Sequence, residues 1–60
     1  MDELRERLKK CKEELGISYK ALAKKAELTI DIMYKFSSGT RDLSTSNYDR
    51  LDSVLREFGY

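Results

Sequence analysis

Apolar residues recur at helical spacing along nearly the whole chain. Leu4, Leu8, Cys11 and Leu15 follow one another at steps of four, three and four, lining one stripe of an amphipathic helix with charge elsewhere on its surface. That helix is predicted from Asp2 to Leu15. Gly16 ends it, because glycine enters the left-handed conformation of a helix stop without a Cβ clash. Ser18 then stands at an N-cap position, where its hydroxyl can accept from a free backbone N–H, and "YKALAKKA" continues with Leu22, Ala23 and Ala26 on one side. This second helix has about two turns. Nucleation makes so short a helix marginal alone, so tertiary packing has to hold it. The small Ala23 and Ala26 let another helix come close.

Thr29 is a second N-cap candidate, and a third helix is predicted from Ile30 to about Ser37. At 100° per residue Met33 and Phe36 share one side with Ile32 at its edge, while Asp31, Tyr34 and Lys35 face the other way. Ile30 falls between the two faces, so it is either half-buried in the core or exposed. "SSGTRDLSTSN" holds the turn-forming Gly39 and several capping residues, and reads as a loop. A fourth helix follows, capped by Ser44 or Asn47, with Tyr48, Leu51, Val54, Leu55 and Phe58 as its apolar positions. Gly59 and Tyr60 close the chain.

The expectation is thus an all-α, compact four-helix domain spanning residues 1–60. Sixty residues lie near the lower limit for a single hydrophobic core. A lone cysteine cannot form an internal disulfide, and a chain without histidine offers no ordinary zinc set. Packing of helices, alone or with a partner chain, has to supply stability. The absence of proline and a hydrophobic content of 40% suit that picture. No apolar run approaches the length of a bilayer span, and "MDELRERLKK" is not a targeting segment. A soluble, untargeted, cytoplasmic protein without a membrane partner is expected, and the unpaired thiol agrees with a reducing compartment.

Catalytic chemistry is not legible. Cys11 lies in the leucine stripe, where a small core residue is expected, and no histidine is present to activate it. Glu13 and Glu14 are adjacent and diverge on a helix. The chain is therefore expected to be neither an enzyme nor a small-molecule or cofactor binder. The mixed charges of the first helix read as a solvated surface. The net charge of +1 is uninformative, but its distribution is not. Residues 1–17 balance to zero, whereas Lys20, Lys24, Lys25, Lys35 and Arg41 against Glu27 and Asp31 give residues 18–41 a charge of +3. Residues 42–60 carry −2.

In "ISYKALAKKAELTIDIMYKFSSGTRDLS" the apolar slots Leu22, Ala23, Ala26, Leu28, Met33 and Phe36, followed by "SSGTR", resemble the Xre/Cro-type helix-turn-helix of phage repressors and small bacterial regulators. The resemblance covers roughly Leu8 to Leu55. It implies a lambda-repressor-like DNA-binding domain in which the third helix crosses close over Ala23 and projects outward into the major groove of double-stranded DNA. In that arrangement Leu28 and Met33 plug the gap with the first and fourth helices. The sequence departs from the pattern at several positions. Glu27 stands where glycine is common, and holding it at positive φ costs on the order of 1 kcal/mol. Tyr19, Ile30 and Asp31 replace the usual glutamines, Leu43 a frequent proline, and the usual fifth helix is missing.

Carried over residue by residue, the resemblance implies base-facing roles for Thr29, Ile30, Asp31, Tyr34 and Lys35. Ser18, Tyr19 and Lys20 at the start of the second helix, with Thr40 and Arg41 after the third, are the phosphate candidates. Asp31 either favours the helix N-terminus through the dipole or accepts from a cytosine amino group; the dipole role ranks ahead. Arg41 is a phosphate contact or a solvated loop arginine. Lys24 and Lys25 read as solvated. The implied partners are an operator duplex and a second copy of the chain, with "LREFGY" and its Phe58 and Tyr60 as the dimer contact. Otherwise Phe58 caps the monomer core and Tyr60 frays. The rival expectation is a domain of the same fold that binds another protein, which near-neutral charge and Asp31 favour.

Overall fold

The computed structural model describes all residues 1–60 as four helices: α1 (Asp2–Leu15), α2 (Tyr19–Ala26), α3 (Ile30–Ser37) and α4 (Thr45–Glu57). Three of the four starts are fixed by a side-chain cap. Ser18 Oγ accepts from the Ala21 amide at 3.1 Å, Thr29 Oγ1 from Ile32 at 3.2 Å, and Ser44 Oγ from Asn47 at 3.2 Å. Ser44 rather than Asn47 is therefore the cap of α4, each hydroxyl satisfying one orphan donor of the first turn. No helix is long and apolar enough to cross a membrane.

α1 ends at Gly16, which takes the left-handed conformation at φ 66°. The join between α2 and α3 is tighter. Glu27 holds the same conformation at φ 58°, the only non-glycine residue with positive φ. With the chain so turned, Leu28 donates its amide to the Ala23 carbonyl at 2.8 Å, closing the end of α2 before Thr29 opens α3. The two helices thus leave one another at a fixed angle through three residues.

The predicted stripes converge on one core. Leu8, Cys11, Leu22, Met33, Phe36, Leu51 and Leu55 are wholly buried, with Leu4, Ala23, Ala26, Leu43 and Val54 completing the cluster. α2 packs against both α3 and α4, and α1 against both as well, so neither two-turn helix stands alone. Each large aliphatic side chain removed from water contributes roughly 1.5–3 kcal/mol against the entropy of ordering so short a chain. Leu28, Ile32, Tyr48 and Phe58 pack at the margin.

Three expectations fail. Leu15 is 46% exposed: spacing gives the face of a helix but not how far its neighbours extend along it, and Leu15 is the last residue of α1. Two arginines of α1 are not solvated, Arg5 and Arg7 retaining only 14% and 21% of their side-chain exposure. Arg5 Nε donates to the Phe36 carbonyl at 2.7 Å and its guanidinium lies 4.7 Å over the Phe36 ring. It also reaches the Arg41 carbonyl at 3.2 Å and Asp42 at 2.7 Å, fastening α1 to the end of α3 and the loop beyond.

Finally, Tyr60 does not fray. Its carbonyl accepts from Arg7 Nε at 2.7 Å and its hydroxyl donates to Glu14 at 2.9 Å, a bond that holds the phenol above its ordinary pKa. Phe58 is half-buried against the core with Lys25 Nζ 5.3 Å from its ring centre. Both aromatic rings assigned to a dimer contact are thus engaged by the chain's own core. Arg7 also bridges to Asp52 at 2.7 Å, and Arg56 reaches the same carboxylate at 3.1 Å. The Arg7 hydrogen bond is the largest single influence on the Asp52 pKa, lowering it together with the charges of Arg56 and Arg7 against the opposing effect of burial.

Candidate functional site

α3 divides its residues sharply between two faces. Met33 and Phe36 are wholly buried, while Thr29, Ile30, Asp31, Tyr34 and Lys35 are all exposed. Ile30, ambiguous by angle, lies on the outer side at 41% exposure. The structure therefore brings the five base-facing candidates onto one open surface of a single helix anchored from beneath.

That surface carries little net charge. Asp31 pairs with Lys35 at 3.1 Å, one turn apart, with the acid nearer the helix N-terminus as the dipole prefers. Both side chains are largely exposed, and pairs of this kind contribute at most about 0.5 kcal/mol. Lys35 can therefore be drawn away by a stronger anion at small cost. Ile30 and Tyr34, also one turn apart, supply the apolar part of the surface.

Tyr34 has an aromatic neighbour on α2. Its ring meets that of Tyr19, the first residue of α2, edge-on with centroids 5.4 Å apart and planes at 84°. Tyr19 is itself pinned twice. Its hydroxyl shares a 2.6 Å hydrogen bond with Ser37 Oγ, and Lys12 Nζ of α1 stands 5.0 Å from its ring centre. The phosphate role carried over to Tyr19 thus falls on a half-buried side chain whose hydroxyl is already bonded. Ser18 uses its hydroxyl as the cap, leaving the Tyr19 and Lys20 amides without a partner in the chain and the Lys20 side chain in solvent.

Beyond α3 the loop is tightly wound. The Lys35 carbonyl accepts from the amides of Thr40 at 3.0 Å and Arg41 at 3.2 Å, and from Ser38 Oγ at 3.1 Å. Thr40 Oγ1 lies 2.8 Å from Ser38 Oγ. The loop amides are thereby committed internally. The exposed Arg41 side chain makes no ion pair and remains available.

Ser37, the one buried polar residue, and Lys12 were not legible as members of this cluster. A signal for Ser37 existed, since positions 33, 36 and 37 share a helix face. Nothing in the sequence marked Lys12. Cys11 is buried as expected, and burial first, then the nearby Glu14 charge, raises its thiol pKa. A shallow depression of about 260 Å³ lies between the end of α2 and α4, edged by Lys25 and Arg50 against Glu27 and Glu57. No group of three or more His, Cys, Asp or Glu residues is placed to hold a metal ion. No protein-family model matches the chain, and neither a curated protein nor a solved structure matches it.

Proposed function

We propose that this protein is a sequence-specific, double-stranded DNA-binding regulator of transcription, a repressor that reads the major groove with the outer face of α3. The observation that carries the reading is the two-faced α3: buried Met33 and Phe36 fix it to the core while Thr29, Ile30, Asp31, Tyr34 and Lys35 stand in solvent. An α-helix with its side chains is about 10–12 Å across, which fits a major groove about 12 Å wide. The resemblance of residues 8–55 to Xre/Cro-type helix-turn-helix domains supports the same reading, as does the positive excess of residues 18–41. Lys35 and Tyr34 are assigned to base edges or flanking phosphates, Ile30 to a thymine methyl, and Lys20, Thr40 and Arg41 to phosphates at either end.

One short reading helix covers only a few base pairs, so the protein is proposed to act as a homodimer on a near-palindromic site with half-sites about 34 Å apart. With Lys20, Lys35 and Arg41 as phosphate contacts, one copy neutralises about three charges. Affinity then falls about 40-fold between 50 and 200 mM salt for one copy and about 1,800-fold for a dimer. Selection of bound duplexes from a random pool, followed by salt titration of the enriched site, tests this. A symmetric site and a steep slope, reduced by Lys35→Ala with Arg41→Ala, are expected; no enrichment and no binding of any duplex at low salt refute it.

A second reading has its own observation. The Asp31–Lys35 pair leaves the outer face of α3 nearly neutral around exposed Ile30 and Tyr34, a surface that also suits another protein. That reading predicts no duplex affinity at any salt concentration.

A further inference from the structure

We infer that Tyr19 acts as a positioning residue for Tyr34, fixing the ring through which α3 discriminates between sequences, rather than as a contact to DNA phosphate. This rests on the DNA-binding reading of α3 and names a determinant of its specificity.

Tyr34 is 55% exposed, more open than Ile30, the other large apolar side chain that α3 presents to solvent. An exposed tyrosine on a helix ordinarily samples more than one rotamer, and the entropy of fixing it is lost on binding. Here the choice is made before any ligand arrives, because the edge-on ring of Tyr19 packs against it at 5.4 Å. Edge-to-face pairs at this separation are attractive beyond their buried area.

Tyr19 can serve as a strut because three elements hold it. Its backbone opens α2 directly after the Ser18 cap, its hydroxyl bonds the buried Ser37 of α3, and the Lys12 ammonium of α1 stands over its ring. The same attachments hold the hydroxyl against the buried Ser37, which competes with any phosphate for it. The pair also couples the two halves of the surface. Any tilt of α2 against α3 moves the Tyr34 ring.

The test compares Tyr19→Leu, Tyr19→Phe and Tyr34→Ala with the unaltered protein on the enriched duplex and on an unselected one. Tyr19→Leu is expected to lower the ratio of the two affinities at least tenfold while leaving the slope of affinity against salt unchanged. The aromatic proton shifts of Tyr34 in the free protein are expected to move toward those of an unstructured tyrosine. Tyr19→Phe keeps the ring and is expected to retain the ratio within about threefold. Adding Tyr19→Leu to Tyr34→Ala is expected to cost no further discrimination.

A Tyr19→Leu protein that binds both duplexes equally weakened, with a shallower salt slope, overturns the positioning role in favour of a phosphate contact. Unmoved Tyr34 shifts in a folded Tyr19→Leu protein overturn it as well. If Tyr19→Leu does not fold, Tyr19→Phe carries the decision, and loss of discrimination with the ring intact overturns the proposal. Failure of the unaltered protein to enrich any duplex removes the DNA-binding reading and this inference together, an outcome distinct from each of the others.

Discussion

Replacing Arg5 by alanine is predicted to remove a large share of the stability of the fold. The charge-assisted hydrogen bond to the Phe36 carbonyl, at 2.7 Å and partly buried, is worth about 1.5–3 kcal/mol. The guanidinium over the Phe36 ring adds about 0.5–1 kcal/mol. Asp42 is 70% exposed and Asp2 nearly fully so, and such pairs contribute only about 0–1 kcal/mol. These sum to roughly 3 kcal/mol, whereas a chain of 60 residues is stabilised by about 3–9 kcal/mol in all.

Urea denaturation followed by helical circular dichroism measures the loss directly, at unchanged slope if the folded state keeps its compactness. Arg5→Lys is the informative companion. It keeps the charge and most of the stem but cannot reach the two carbonyls and Asp42 as one fork, so it should recover less than half of the loss. A loss below about 1 kcal/mol for Arg5→Ala, or full recovery by lysine, refutes the view that this side chain clamps α1 to the end of α3.

Glu27→Gly is expected to stabilise the protein by about 1 kcal/mol in the same assay, because it relieves the left-handed backbone and removes a negative charge from the C-terminal end of α2. Glu27→Val, with a branched Cβ at the same φ, should destabilise it. Asp52 makes stability depend on pH in a definite direction. Its folded pKa is lowered from 3.8, so the contribution is complete above about pH 5 and disappears as pH falls through the folded value. The gap in urea midpoint between the unaltered protein and Asp52→Asn is therefore expected at neutral pH and should narrow steadily as the solution is acidified through the lowered folded pKa of Asp52. Asp31→Asn is expected to raise affinity for unselected duplexes several-fold at low salt, and a changed preference at one base pair of the enriched site would assign Asp31 to a cytosine rather than to the dipole.

Much of the fold was legible because helices this amphipathic announce their buried face by spacing, and because Ser18, Thr29 and Gly16 mark boundaries through chemistry local to the chain. The outer face of α3 followed from the same arithmetic. What the sequence withheld depends on partners distant along the chain. Arg5 and Arg7 looked like any charged residue of a solvated helix, since the carbonyls of Phe36 and Tyr60 that receive them carry no signature in the letters. Tyr60 seemed a loose end for the same reason, and Leu15 looked buried because periodicity is blind to where a neighbouring helix stops. Tyr19 had a phosphate role by its position in the resemblance, whereas its bond to Ser37 and its edge against Tyr34 emerge only when α2 and α3 are crossed.

Whether the outer face of α3 meets a duplex is decided by following every backbone amide by NMR while the enriched duplex is added. The largest shifts are expected on Thr29 to Lys35, with a second group at Lys20, Thr40 and Arg41, and little change along the outer side of α4. Shifts centred on α4 or α1, with Thr29 to Lys35 undisturbed, contradict that contact.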